Sequence, residues 1–187
     1  MIDLHILRWR HTNPWWHECI NSVPSDYFKV HIIKSKEMNY GKARQLGFES
    51  GHNDFVSYLD DDDYLTNQAG IEANNIVIMN MDATYTNSIL LYDNGIKREY
   101  NPVWPHQLII TRRCIATLAS VQSNELIKQK NWNPLVFDVV FQNIIQNAFG
   151  WHYIDKLLYV YRYHKHGIRN DKDIRIEFRK VREYFGS

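Results

Sequence analysis

The sequence predicts an α/β domain built on a mostly parallel central sheet with helices on its faces. Three observations carry this. Apolar, β-prone segments alternate with segments of helical spacing through the first 65 residues. One such segment, FVSYL at 55–59, runs directly into four consecutive aspartates, Asp60 to Asp63. At 187 residues the chain suits one domain better than two. A domain of that size buries roughly two-thirds or more of its unfolded surface.

Residues 2–9, IDLHILRW, read as a first strand. Thr12 or Asn13 ahead of Pro14 is a helix-start signal, so a short helix is expected through Ile20, broken by Pro24 and Ser25. Residues 28–33, FKVHII, give a second strand and complete a strand–helix–strand unit. Gly41 to Ser50 carries Ala43, Leu46, Gly47 and Ser50 at helical spacing, and small residues there allow close packing on a sheet. Gly51-His52-Asn53 ends that helix, and 55–59 is the third strand. A further helix is expected from about Thr66 to Met79. Residues 83–91 and 96–100 flank Asp93-Asn94-Gly95, a hairpin signal, so the second half does not simply repeat βα units. A strand near 107–112 follows. Asn133-Pro134 then opens an apolar helix to about Phe149, and 153–163 is a last extended segment.

The composition is 44% apolar, 23% charged and 14% aromatic, which excludes disordered and fibrous chains. The two cysteines, Cys19 and Cys114, lack metal-ligand spacing and imply neither a zinc site nor a disulfide framework. They are read as reduced thiols of a cytoplasmic protein. No stretch approaches the ~18 apolar residues of a membrane span. Arg8, Arg10 and His11 interrupt the apolar start, so it is not read as a signal region. From Arg162 to Arg182 there are eight Lys or Arg against three Asp or Glu. That segment could face phosphates or be a solvated amphipathic helix.

The acidic run is the main candidate for chemistry. Four adjacent carboxylates repel one another, and a compensating cation is expected. Mg²⁺ characteristically shares one or two carboxylates with substrate phosphates. Ligands of open α/β sheets bind beyond the carboxyl ends of strands, where this run begins. Alternation at a strand end would turn Asp60 and Asp62 toward one crevice and Asp61 and Asp63 elsewhere. The plain alternative is a solvated loop in which Asp63 caps the next helix.

The segment from Asn39 to Leu65, NYGKARQLGFESGHNDFVSYLDDDDYL, resembles the nucleotide-binding half of GT-A glycosyltransferases of the inverting family 2 type. The likeness rests on Asn39, Gly41, Ala43, Arg44 and Gly47, followed by a strand ending in Leu59 and Asp60 to Asp63. It implies a single GT-A domain over 1–187, with 1–65 as the nucleotide-binding half and 66–187 as the acceptor half. It implies a nucleotide-sugar donor, a UDP-sugar in many members, and Mn²⁺ or Mg²⁺ as cofactor. By this resemblance Asp60 and Asp62 are metal ligands, and Arg8, Arg10, Thr12, Arg44 and Asp61 lie against the donor. The family commonly ends strand two with an Asp that reads the base; here stand Lys34-Ser35-Lys36-Glu37.

In the second half, Asp138 matches the family's catalytic base, without the Glu that often precedes it. Asp138, Gln142 and Gln146 also fall on one helical stripe that could be a wet face. Tyr161-Arg162-Tyr163-His164-Lys165-His166 resembles the family's closing segment, making His164 a candidate metal ligand and His166, Arg162 and Arg169 candidate phosphate contacts. The abundance of Asn, Ile, Lys and Tyr resembles proteins of tailed bacteriophages, some of which glycosylate hydroxymethylated DNA bases. A DNA acceptor would suit the basic segment, and Trp15, Trp16 and Trp104 could stack on an extruded base or pack in the core. A small or cell-surface glycan is the rival acceptor. Outside this class stand a nucleotidyltransferase, which usually has a Gly-bearing loop after strand one, a metal-dependent nuclease, and a non-catalytic nucleotide-binding module.

Overall fold

The computed structural model describes residues 1–8, 13–34, 39–95, 97–100, 107–163 and 172–186. One eight-stranded sheet organises them, flanked by helices on both faces. The strands are β1 (Ile2–Arg8), β2 (Phe28–Lys34), β3 (Phe55–Asp60), β4 (Tyr64–Leu65), β5 (Ala83–Tyr92), β6 (Lys97–Tyr100), β7 (Ile109–Arg112) and β8 (His152–Tyr163). The helices are α1 (Trp16–Asn21), α2 (Tyr40–Glu49), α3 (Ala69–Ile78), α4 (Arg113–Lys130), α5 (Phe137–Ala148) and α6 (Lys172–Phe185). The strand order is β2-β1-β3-β7-β5-β8-β4, with β6 paired to β5. Pairing is parallel across β2-β1-β3 and between β5 and β8, and antiparallel between β3 and β7, β7 and β5, β5 and β6, and β8 and β4, so the sheet is mixed where the sequence predicts a mostly parallel one.

The parallel half sets the level of the site. Leu7 pairs with Asp60, and Arg8 with Lys34, so β1, β2 and β3 end together. Ile2 through Leu7 are all buried, as expected of a central parallel strand covered on both faces. Leu4, Ile6 and Leu59 join Ala69, Ala73 and Ile76 of α3 on one face. Val56 and Tyr58 join Phe48 of α2 and Phe137, Phe141 and Ile145 of α5 on the other.

The Asn39–Gly47 segment now has physical reasons for its residues. Asn39 caps α2, its side chain accepting the backbone N–H of Gly41 at 3.0 Å and of Lys42 at 3.4 Å. A Cβ on Gly41 would collide with Asn124 of α4 and with Phe137. A Cβ on Gly47 would collide with the ring of His5. The two glycines let α2 lie close to its neighbours.

Several expectations are corrected. Helix α4 occupies residues 113–130, to which hydrophobic spacing assigns nothing. Its buried face is Ala116, Ala119, Ser120 and Ser123 with Ile115 and Ile127 at the ends, so it lacks an apolar stripe. The supposed wet stripe on α5 is not continuous: Gln142 is fully buried and Asp138 half-buried, and of the three only Gln146 is exposed. Asp63 does not cap α3, whose N-cap is Gln68 without a side-chain bond. The hairpin at Asp93–Gly95 forms as expected. The basic segment includes α6, which buries Ile174 and Val181. Among the described residues no helix is long and apolar enough to cross a membrane.

Candidate active site

Asp60 is the last residue of β3, and the chain turns tightly there, Asp63 N–H bonding to Asp60 C=O at 3.1 Å. Its carboxylate faces α2 and meets the guanidinium of Arg44. Arg44 is fully buried. A buried charge is costly unless paired, and this one has two carboxylate partners. Besides Asp60, its Nε donates to Asp138 Oδ1 at 3.2 Å. Its Nη2 also donates to the hydroxyl of Tyr40 at 2.8 Å, and Tyr40 in turn donates to Asp138 Oδ2 at 2.6 Å. The guanidinium lies 4.1 Å from the ring centre of Tyr58. Tyr58 O–H accepts the amide of Gln142 at 3.1 Å, which explains why α5 turns that polar residue inward.

Arg44 therefore joins the end of β3 to the first turn of α5. Burial pushes the Asp60 carboxyl up to about 6 against the pull of Arg44, with Asp138 and Asp62 repelling it further. Burial works against the charge on Arg44, but Asp138 and Asp60 hold its pKa well above the usual range, so it stays cationic. Asp60 and Asp138 keep 24% and 13% of their side chains exposed, so this cluster reaches the surface and is not sealed in the core.

The other acids divide by role. Asp63 is buried and accepts from Tyr159 O–H at 2.6 Å and from Arg162 N–H at 2.7 Å. It pins the acidic turn to β8. Arg162 adds a bond from Nε to Asp62 C=O at 3.0 Å and an ion pair with Glu18 of α1. Its guanidinium also lies 5.0 Å from the ring of Trp15. Asn13 ties the segment before α1 to the same turn, its amide donating to Asp61 C=O at 2.8 Å. Below, the thiol of buried Cys19 points at Asp60 C=O, 3.5 Å away. Asp62 is half-buried, at the outer side of the turn.

Of the residues singled out in the sequence, Asp60, Arg44 and Asp138 are brought together directly, with Asp61 and Asp62 on the adjoining turn. Arg162 reaches the turn's backbone and Glu18. Arg8 stands over the Trp16 ring at 4.4 Å, and Trp16 packs against the core beneath α1. Arg10, Thr12, Trp104, His164, His166 and Arg169 lie outside the described residues. Tyr40 and the Asp63–Tyr159 bond escaped the sequence. Tyr40 had one legible signal: it stands four residues before Arg44, on the same helical face.

Among the described residues no three His, Cys, Asp or Glu side chains converge into a closed metal cage. The donor set fits an open hard-cation site of one or two carboxylates shared with phosphate oxygens and water. A groove of about 430 Å³ lies beside the turn, lined by Glu18, Asn21, Tyr64, Asn67, Ile89 and Lys97 among others. Asp60, Arg44 and Asp138 do not line it.

Solved structures share this architecture. S. aureus TarS 1–349 in complex with UDP superposes with a TM-score of 0.62 at 14% identity, covering 98% of this chain and 64% of that one. The same protein in complex with UDP-GlcNAc gives 0.62, 14%, 98% and 65%. A third structure of TarS 1–349 gives 0.61, 14%, 98% and 64%. The chain thus spans somewhat under two-thirds of the length of the TarS 1–349 structures it matches. At this identity the likeness is one of fold, and the α/β class is the one expected from the sequence. No protein-family model and no curated protein matches the sequence.

Proposed function

We propose that this chain is a metal-dependent glycosyltransferase that moves a sugar from a UDP-sugar to an acceptor hydroxyl with inversion. One observation carries the reading: Arg44 binds Asp60 and Asp138 together at the carboxyl end of the parallel strands. In this reading one of the paired carboxylates is the metal-type acid and the other the base. TarS, of like fold, has been solved in complex with UDP and with UDP-GlcNAc, which supports a nucleotide-sugar donor here.

Asp62, with Asp60 behind it, would hold Mn²⁺ or Mg²⁺, and His164 is the further candidate ligand. Such a cation, when bound, neutralises the diphosphate leaving group as a Lewis acid. The chain's own groups do the rest. Asp138 takes the proton from the acceptor hydroxyl as it attacks the anomeric carbon. A carboxylate offers about four lone-pair directions, and Tyr40 and Arg44 use two, so acceptor capacity remains. Arg44 fixes the separation between the two acids. Direct attack by the deprotonated hydroxyl inverts the anomeric centre.

For the acceptor we favour a hydroxymethylated base in DNA. Lys172, Arg175, Arg179 and Arg182 recur along exposed turns of α6 and suit a phosphate backbone. A small or cell-surface glycan is the competing acceptor.

The test is release of nucleoside diphosphate from UDP-GlcNAc, UDP-glucose and UDP-arabinose with Mn²⁺, with and without hydroxymethylcytosine DNA. Metal-dependent release from one donor, abolished in Asp62→Ala, is the expected result. No release from any nucleotide sugar refutes the class. Release without product on DNA removes only the DNA acceptor.

A further inference from the structure

We propose that Tyr40 is a positioning residue for Asp138, setting the plane of its carboxylate toward the acceptor; this rests on the reading of Asp138 as the base. The Tyr40 hydroxyl donates to Asp138 Oδ2 at 2.6 Å and accepts from Arg44 Nη2 at 2.8 Å. Arg44 Nε closes the ring on Asp138 Oδ1 at 3.2 Å. Both carboxylate oxygens are therefore anchored from one side, by two residues one turn apart on α2. A single contact would leave the carboxylate free to rotate about its Cβ–Cγ bond; two contacts on different oxygens fix it.

The support of Tyr40 is rigid in turn. It opens α2, whose N-terminus is capped by Asn39. Asn124 of α4 donates to Gly41 C=O at 3.2 Å and to Gln45 at 2.9 Å, clamping the same turn. The hydroxyl thus reaches α5 from a helix held by its own cap and by α4. What stays open on Asp138 is the exposed 13% of its side chain, and an acceptor hydroxyl must approach there. A displacement of about 1 Å at a catalytic group can cost about 100-fold in rate.

The experiment compares wild type, Tyr40→Phe, Asp138→Asn and the double variant. It measures steady-state hydrolysis of whichever of the three UDP-sugars above the wild-type protein cleaves, water taking the acceptor's place. UDP affinity by calorimetry and thermal melting accompany each variant. Tyr40→Phe is expected to lower kcat about 10- to 100-fold with the donor KM and UDP affinity within about twofold. In the Asp138→Asn background it should cost no more than about twofold further, because residues acting as a unit are non-additive. Replacing Tyr40 by 4-aminophenylalanine, which keeps a donor at the same place, should restore most of kcat, and it serves as the informative variant if Tyr40→Phe melts early. A wild-type kcat in Tyr40→Phe, a loss confined to KM, or an equal loss in the Asp138→Asn background overturns the proposal. If Asp138→Asn retains wild-type hydrolysis, the base assignment falls and this inference with it. If Asp138→Asn is inactive while Tyr40→Phe is unaffected, only the positioning role falls.

Discussion

Arg44 and Asp138 meet at 3.2 Å from elements 94 residues apart in the chain, and the same guanidinium also holds Asp60. The contact ties the parallel half of the sheet to α5 through one fully buried charge. Removing that charge leaves two carboxylates facing each other without a counterion. Breaking such a buried pair typically costs about 3–5 kcal/mol. Arg44→Ala is expected to lose stability on that scale in urea unfolding. Arg44→Lys should recover only part of it, since an ammonium cannot reach Asp60, Asp138 and Tyr40 in one fork. An Arg44→Ala protein as stable as wild type would remove the cluster's structural role.

Adjacent acids in the turn should fail differently. Asp63 is buried with Tyr159 and Arg162 as partners, so Asp63→Ala strands a buried hydroxyl and a backbone N–H. Each buried group left unpaired costs about 1–3 kcal/mol, so the variant should melt well below wild type. Asp62 is half-buried where Asp63 is buried, so Asp62→Ala should melt closer to wild type than Asp63→Ala. It should instead lose the Mn²⁺-dependent tightening of UDP binding seen by calorimetry. The reverse pattern, a stable Asp63→Ala and an unfolded Asp62→Ala, would exchange the two roles.

Much of this site was legible before any coordinates, and the illegible part has a common cause. Strands β1 to β3 and helix α2 announce themselves by local spacing, Asp60 by its place at a strand end, and Arg44 and Asp138 by the family resemblance. The partners of Asp63 lie 96 and 99 residues away on β8, and that of Tyr40 lies 98 residues away on α5. No local pattern encodes such meetings. The inward turn of Gln142 depends likewise on the hydroxyl of Tyr58. Helix α4 was hidden for a different reason: Ala and Ser pack its face closely but carry no hydrophobic period.

The close approach of α2 to the sheet yields a packing prediction. A methyl group on Gly47 meets the ring of His5, which is itself enclosed by Phe48 and Tyr58. Relief requires moving α2 or rotating a buried ring. Overpacking of this kind costs about 1–3 kcal/mol, although alanine gains some helix propensity over glycine. Gly47→Ala should therefore lower the urea midpoint. Unchanged or raised stability would mean that His5 moves aside freely.

His5 also supplies a pH dependence. The ring is 1% exposed, and among the described residues neither nitrogen has a hydrogen-bond partner. Burial, with Arg44 nearby, holds its pKa well below the usual 6.5, so it is neutral in the fold. In the unfolded chain it titrates normally. Above pH 6.5 neither state binds the proton and this contribution is fully present. As pH falls through 6.5, the unfolded chain takes up a proton that the native state refuses, so stability falls with pH. The limiting slope is about 1.4 kcal/mol per pH unit from this one group. Asp60, pushed up to about 6, titrates in the same window but in both proteins, so the difference between wild type and His5→Leu in urea unfolding from pH 7.5 to about 5 isolates the histidine. The difference in stability between the two proteins should shrink or invert toward acid, because the leucine variant lacks this proton-linked loss. Parallel curves would mean that His5 takes up its proton inside the folded protein, beside Arg44, and that the core there is more polar than its packing implies.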